Sequence, residues 1–526
     1  MVAFSRAWAS RDRAQGGKIM TISRRSLIAA TALTALTASR GWSQTPQPEP
    51  APSASPRTAL RTWFAGQFTG DFDAMLDRRL IRLVVPYSPT LFFEDKGTIY
   101  GTAANGAQLF EGWVNKTFAL GARPLTVPLT PVSRDKLFDA LLAGDGDIAA
   151  GDITITEKFR KKVAFSAPVI GNVREIVITG EDVPELDSAD ALSGKEVAVG
   201  RSTSYYESLK KLNERLTAQG KPPVTITIVP DTLEVPDLME MTAAGLLPAT
   251  VGDDWVAGLW VQIIKGLRLH PKAAVREGAE IAWAVRPNNP KLLATLNRAI
   301  AEITGKVHQW SDDTRSYLLD LKHLLTATKG ADIQRFRDTV EIFRRYAGQY
   351  GFDTLLLVAQ GYQESGLDQR IVSRAGAVGL MQVLPETGRE LGVGNIHEPD
   401  PNVHAGAKYM AQLMDNYFND ASFDEQNRNL FAFAAYNAGP GKIQSLRREA
   451  QAEKLDPNLW FDNVERVAAA RVGQEPVRYV RNIYKYYVAY KLIEEAEAAK
   501  KAATAAAARE PTETGTSAPP PPAKPH

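Results

Sequence analysis

The sequence predicts two folded regions of different class, an α/β region followed by an all-α region. Between about residues 79 and 325, short β-branched runs alternate with amphipathic helical stretches. From about 331 to 495, strands nearly vanish and apolar residues recur with the period of a helix. The first pattern is that of α/β architecture with mostly parallel sheets, and the second is that of packed helices. With 526 residues, 44% of them hydrophobic and 23% charged, the chain has the composition of globular protein. At roughly 100–200 residues per domain, about two to four domains are expected.

From Met20 the chain reads MTISRRSLIAATALTALTASRGWSQ. Arg24 and Arg25 form a basic start, Ser26 to Ala38 a short apolar stretch, and Gly41-Trp42-Ser43 a small-x-small cleavage site. Residues 1–43 therefore read as a secretory signal, too short for a stable membrane span. Met20 is a candidate start, with residues 1–19 as upstream read-through. Ser23 to Ile28 also resembles a twin-arginine signal, an ordinary secretory signal being the alternative. The mature protein is expected in the periplasm, free or peripheral to the envelope, with no transmembrane anchor. Residues 44–78 are expected to be a linker, rich in Pro, Ser and Ala over 44–58. Residues 496–526 are expected to be a disordered Ala- and Pro-rich tail. The absence of cysteine excludes disulfides, thiolate metal sites, a cysteine nucleophile and an acylated lipobox anchor. With 62 basic and 60 acidic residues, nothing in the charge calls for a nucleic-acid partner.

The α/β region is placed at 79–327. Its strands are expected at Leu80–Val85, Ile148–Ala150, Ile176–Thr179, Glu196–Val199, Val224–Val229 and Ile281–Val285, with helices at Ala107–Phe118, Arg134–Leu142 and Tyr205–Ala218. The run from Gly151 to Ser166, GDITITEKFRKKVAFS, resembles the signature of family 3 extracellular solute-binding proteins. Asp139–Ala150, Gly200–Tyr205 and Gly252–Trp255 resemble segments of the same family. The resemblance implies a two-lobed, periplasmic-binding-protein-like domain, with hinge crossings near 172 and 278 and a ligand cleft between the lobes. Its candidate ligand residues are Thr154, Arg160, Ser202, Thr203, Ser204, Asp253 and Asp254. A hydroxyl-rich loop opening a helix, as at Ser202–Tyr205, presents N–H groups suited to a carboxylate. Asp253 or Asp254 opposite would suit an ammonium. In amino-acid-binding members an arginine grips the ligand carboxylate three residues after the ITIT run. Here that position is Phe159, followed by Arg160. The departure points to a muropeptide or peptide ligand, or to none, rather than a free amino acid. The alternative for Ser202, Thr203 and Asp254 is plain helix capping.

The helical region is placed at 328–495, with helices expected over Ile333–Tyr350 and from Thr354. Asp353 is a plausible N-cap, and Leu355, Val358, Ala359 and Tyr362 form one apolar stripe. The helix should end at Glu364-Ser365-Gly366, glycine being the favoured residue past a helix end. Glu364 then sits where the negative end of the helix dipole disfavours a further negative charge, and partial burial would act in the same direction. A carboxyl kept protonated near neutral pH is what a glycosidic oxygen needs from a general acid. One glutamate near a helix end is usually solvated, so the signal needs company.

That company is present. Glu364-Ser365-Gly366, Ser373 to Thr387 (SRAGAVGLMQVLPET), Ala435 to Gly441 (AYNAGPG) and Gln474 to Val480 (QEPVRYV) occur in order. Together they resemble the soluble lytic transglycosylase family of lysozyme-like enzymes, with Pro476 and Val477 departing from the usual Thr and Arg. The resemblance implies Glu364 as acid and then base. Ser365, Ser373, Gly379, Met381, Gln382, Tyr436, Asn437, Glu475 and Tyr479 are implied around it or on the sugar. Core packing is the alternative for Met381 and Tyr479. Ordinary glycosidases use two carboxyl groups, but no second acid here has a matching motif. The family uses one, cutting the MurNAc–GlcNAc β-1,4 bond of peptidoglycan glycan strands to leave 1,6-anhydroMurNAc. No cofactor and no metal are expected, since the histidines are scattered. The rival functions are a lysozyme-type muramidase hydrolase and a non-catalytic cell-wall-binding or solute-receptor protein.

Overall fold

The computed structural model describes residues 66–95, 98–303, 331–420 and 422–507. The secretory signal, most of the linker, the boundary at 327/328 and residues 508–526 lie outside that set. Among the described residues there are eleven strands: β1 (Leu83–Pro86), β2 (Phe93–Asp95), β3 (Thr98–Tyr100), β4 (Leu129–Val132), β5 (Ile148–Thr154), β6 (Ala164–Phe165), β7 (Ile170–Gly180), β8 (Glu196–Gly200), β9 (Thr225–Val229), β10 (Ala249–Asp253) and β11 (Leu267–Val285). Nine of them form one sheet in the order β4-β1-β5-β11-β7-β10-β8-β9, with β6 beside β11, while β2 and β3 pair separately.

The sheet is two parallel trios joined by two long crossing strands. β4-β1-β5 is parallel in the first lobe, and β10-β8-β9 in the second. β7 and β11 run antiparallel to one another and to the strands they meet. The expectation of mostly parallel pairing thus holds within each lobe and fails at the crossings. There one strand carries the chain out to the second lobe and the other brings it back, so their directions oppose. Asn172 and Gly278 both adopt positive φ, 57° and 65°, within these crossings. The helices of the region are α1 (Phe72–Arg78), α2 (Thr102–Thr117), α3 (Leu137–Ala143), α4 (Glu157–Arg160), α5 (Ser204–Ala218), α6 (Val235–Ala243), α7 (Asp254–Trp260) and α8 (Pro290–Ile303).

Two expectations about boundaries are corrected. Residues 72–78, placed in the linker, form α1, whose Phe72 and Met75 are buried in the core. Asp71 caps α1 and also accepts from the backbone N–H groups of Lys291 and Leu292 at the start of α8. The tail placed at 496–526 begins as helix, which continues to Ala507. Beneath β1, fully buried Asp147 is paired with Arg78 (2.6 Å), Arg82 (3.0 Å) and Arg286 (3.0 Å). A lone carboxylate there would be strongly penalised, and three guanidinium groups stand against it as counter-charges.

The second region is helical: α9 (Ala331–Tyr350), α10 (Thr354–Ser365), α11 (Pro385–Leu391), α12 (Pro399–Tyr417), α13 (Glu425–Ala438), α14 (Pro440–Ala452), α15 (Glu465–Arg471) and α16 (Gln474–Ala507). α10 is its centre. Every residue from Leu355 to Tyr362 is buried, and the helix packs against α9 and α16. Such all-round burial marks an interior helix rather than a surface one. Among the described residues no helix is long and apolar enough to cross a membrane.

α16 also ties the two regions together. The Gln474 N–H donates to Asp95 (2.8 Å) and its side-chain amide to the Tyr87 hydroxyl and the Glu94 carbonyl (2.5 Å each). Arg481 lies over the Tyr87 ring, 4.3 Å from its centre, pairs with buried Glu465, and donates to the Thr232 carbonyl. One turn further on, Lys485 pairs with Glu240 of α6.

Candidate active site

The last turn of α10 carries Glu364. Asp353 caps the first turn, accepting from the N–H groups of Leu355 (2.8 Å) and Leu356 (3.2 Å). Gly366 ends the helix at φ 64°, its N–H bonded to the Tyr362 carbonyl. Arg335 from α9 donates to the Gly366 carbonyl (2.7 Å). Glu364 is therefore fixed at both its own helix end and the turn beyond. Burial pushes its carboxyl up to about 7, against a partial pull downward from the Tyr479 hydroxyl. Tyr479 reaches it from α16, donating to Oε1 at 2.5 Å.

The segment from Ile371 to Val383 folds as a tight loop beside this helix end. Ser365 staples the two, donating to the Leu380 carbonyl (3.0 Å) and accepting from the Asp368 N–H (3.3 Å). Ser373 closes the loop on itself by accepting from the Ala377 N–H at 3.0 Å. Gln382, at φ 46°, donates to the carbonyls of Gly379 (3.0 Å) and Ile371 (3.2 Å). Gly379 is at φ 75°, where a Cβ would come within 2.5–2.6 Å of Gln369 and Asn402. Its need for glycine is thus set by these side chains. Met381 has no exposed surface and packs on Gly406, so only its backbone faces the site. Its carbonyl accepts from the Tyr436 hydroxyl at 2.9 Å. Tyr436 ends α13 together with partly exposed Asn437, and Glu475 is exposed in the first turn of α16.

Sequence reasoning missed three supports. Asn402, buried in α12, accepts from the Met381 N–H (2.8 Å) and donates to the carbonyls of Val378 (2.8 Å) and Ile396 (2.9 Å). Gln369 accepts from the Leu380 N–H (3.2 Å). Gln360, one turn before Glu364, donates to the Tyr479 hydroxyl oxygen (3.4 Å). For Asn402 and Gln360 the signal available was a polar side chain on an apolar helix face; Gln369, in the turn after α10, left none. His404 stacks on Tyr346 at 4.5 Å and bonds the Tyr350 hydroxyl at 2.8 Å.

The model of the transglycosylase SLT domain matches residues 341–458, and that of bacterial extracellular solute-binding proteins, family 3, matches 83–311. A membrane-bound lytic murein transglycosylase F of Desulfosudis oleivorans is 30% identical over 377 residues, covering 67% of this chain and 79% of the relative. This chain belongs to that family. A relative of the same name from Ectopseudomonas mendocina is 29% identical over 427 residues, 77% of this chain and 83% of its own. Among solved structures, an ancestral arginine-binding protein bound to arginine covers 46% of this chain and 97% of its own, at 22% identity and a TM-score of 0.36. The chain is thus an enzyme of the lytic transglycosylase type, with a solute-binding domain ahead of its catalytic domain. The SLT match ends before α16, which supplies Tyr479.

In the solute-binding domain, a cleft opens between the lobes, lined by Ser88, Arg134 and Asp152 on one side and Thr203, Tyr205 and Glu234 on the other. Arg134 is already engaged by Glu234 in a two-point ion pair, 2.6 and 2.9 Å, that spans the lobes. Of the expected ligand residues, Thr203 caps α5, accepting from the Tyr206 N–H. Ser202 is bonded to Asp231 through both N–H and hydroxyl, 3.1 Å each. Ser204 donates to Thr154 (3.1 Å), and Asp254 is paired with Arg174 (3.2 Å). Arg160 is exposed, while Phe159 is buried against Phe138, 5.0 Å between ring centres. Asp253 is fully buried, and burial together with the nearby Asp152 and Glu175 carboxyls pushes it well up. Asp152, at φ 58°, is likewise pushed up to about 7 by burial. Neither Arg134 nor Asp152 was foreseen as a cleft residue.

Proposed function

We propose that Glu364 is the one acid–base residue of a peptidoglycan lytic transglycosylase that cuts the MurNAc–GlcNAc β-1,4 bond and leaves a 1,6-anhydroMurNAc end. The observation that carries this reading is a carboxyl poised at about 7 by burial, with no second carboxylate among the groups acting on it. Paired-carboxylate glycosidases need a partner acid at close, defined separation. Here nearby Asp368 is bound to Arg370 (2.7 Å) and held at about 2, so it is no proton donor. Protonated Glu364 gives its proton to the glycosidic oxygen as the C1–O bond breaks, and oxocarbenium-like charge develops at C1. The substrate's N-acetyl group steadies that charge. The resulting Glu364 carboxylate, held by the Tyr479 hydroxyl, takes the proton of the C6 hydroxyl, whose oxygen closes on C1. The glutamate ends protonated, and no water is consumed.

In this reading Ser365, Ser373, Gly379, Met381 and Gln382 shape the sugar-facing wall, most of them through backbone they hold in place. Asn437 and Glu475 face the glycan from the ends of α13 and α16, and Tyr436 braces the wall behind Glu364. The enzyme works in the periplasm after removal of residues 1–43. A muropeptide or peptide in the interlobe cleft, meeting Thr203 and the Arg134–Glu234 pair that line it, modulates the rate. What supports modulation is that α16, which carries Tyr479, also rests on Thr232 and Glu240, either side of cleft residue Glu234. Mass spectrometry of products from purified sacculi tests the reaction. Anhydro ends are the expected outcome, and reducing ends carrying an added water would instead make the enzyme a muramidase hydrolase.

A further inference from the structure

We infer that Gln360 is a positioning residue that directs the Tyr479 hydroxyl proton onto Glu364 and thereby steadies the carboxylate form of the catalytic glutamate. The inference rests on the reading of Glu364 as the acid–base group. Gln360 lies four residues before Glu364 on α10, so the two side chains share one face of the helix. It has no exposed surface. Its amide nitrogen donates to the Tyr479 oxygen at 3.4 Å, while its carbonyl oxygen is buried with no partner. A buried amide oxygen without a donor is a standing penalty. Leucine or methionine would fill the same space in this otherwise apolar stretch without it, so packing gives no reason for the amide.

The geometry gives one. A phenol has a single proton and can also accept. With the Gln360 N–H filling its acceptor side, the Tyr479 proton is left to the Glu364 oxygen at 2.5 Å. Other groups near Glu364 are engaged elsewhere. Tyr436 of α13 gives its hydroxyl to the Met381 carbonyl, Arg335 of α9 holds Gly366, and Asp368 of the following loop pairs with Arg370. On α16, exposed Glu475 and part-buried Arg478 precede Tyr479 by one turn or less. Burial raises the Glu364 proton affinity and the Tyr479 bond lowers it, so a group that governs the tyrosine also acts on the glutamate.

The test uses the full chain as wild type, Gln360→Met, Tyr479→Phe and the double variant. Titration of the Glu364 carboxyl is followed by infrared difference spectroscopy, with Glu364→Gln as the blank, beside the pH profile of sacculus digestion. Removing the tyrosine bond destabilises the carboxylate, so Tyr479→Phe should move the titration and the alkaline limb to higher pH. Gln360→Met should move both the same way by about half a pH unit, the scale of weakening one neutral hydrogen bond. In the Tyr479→Phe background it should add no shift. Gln360→Leu, which likewise removes the amide, should also shift both upward, and it replaces the methionine variant if that does not fold. An unshifted titration in the Gln360 variants, or an equal shift without the tyrosine, overturns the inference. Full activity in Glu364→Gln would instead remove the reading beneath it, and the infrared titration separates the two because it does not depend on turnover.

Discussion

Two influences of opposite sign meet at Glu364. Burial and the helix terminus penalise its charge, and the Tyr479 hydroxyl partly offsets them. Because the folded state holds the proton up to about 7, against 4.5 for an ordinary glutamate, ionisation is disfavoured in the fold. The wild type should therefore lose stability as pH rises from the ordinary value through about 7, on the order of 3 kcal/mol in full. Glu364→Gln cannot ionise and should not lose it. Chemical denaturation at about pH 5 and about pH 8 should show the variant gaining on the wild type at the higher pH. Parallel curves would mean that Glu364 is not held protonated. Tyr436→Phe should cost about 1 kcal/mol, since the buried Met381 carbonyl loses its hydroxyl donor. Its melting temperature checks this directly.

At the scale of elements, the site is a helix end against a loop whose shape is imposed from outside. Gly379→Ala would place a methyl within 2.6 Å of Gln369 and Asn402 at φ 75°. It should destabilise the helical domain by about 1–3 kcal/mol and lower activity with it. Asn402→Ala, which strips two bonds from the loop and one from the Ile396 carbonyl, should do at least as much, and denaturant midpoints measure both. α10 was legible in the sequence because its signals are local: Asp353 at one end, Gly366 at the other, apolar residues between. The supports of the loop were not, because Asn402 stands more than twenty residues from Met381 and no spacing rule joins them. The same holds in the α/β region. The sequence marked only the last five residues of β11, since Pro271, Lys272 and Gly278 interrupt its alternation, and the register shifts there record that irregularity. The Arg134–Glu234 pair across the cleft joins positions 100 apart and left no local trace.

Across the whole molecule, α1, α8 and the Asp147 cluster anchor the first lobe, and α16 carries contacts from the solute-binding domain to Tyr479. Asp147→Asn should cost about 3–5 kcal/mol, because three guanidinium groups would then share a buried site with no counter-charge. Calorimetry should place that loss in the transition of the solute-binding domain. The family resemblance was readable from short motifs at turns and helix ends, where chemistry dictates residue type. The joining of the two regions was not, because Gln474, Arg481 and Lys485 look like ordinary residues of an amphipathic helix. The central claim, that one glutamate performs both proton transfers, is tested most directly by release of anhydromuropeptides from sacculi by the folded Glu364→Gln protein. Loss of a general acid that also serves as base should lower that release by ~10²–10⁴-fold or more, with the melting temperature retained. Release at near the wild-type rate from the folded variant would contradict the account.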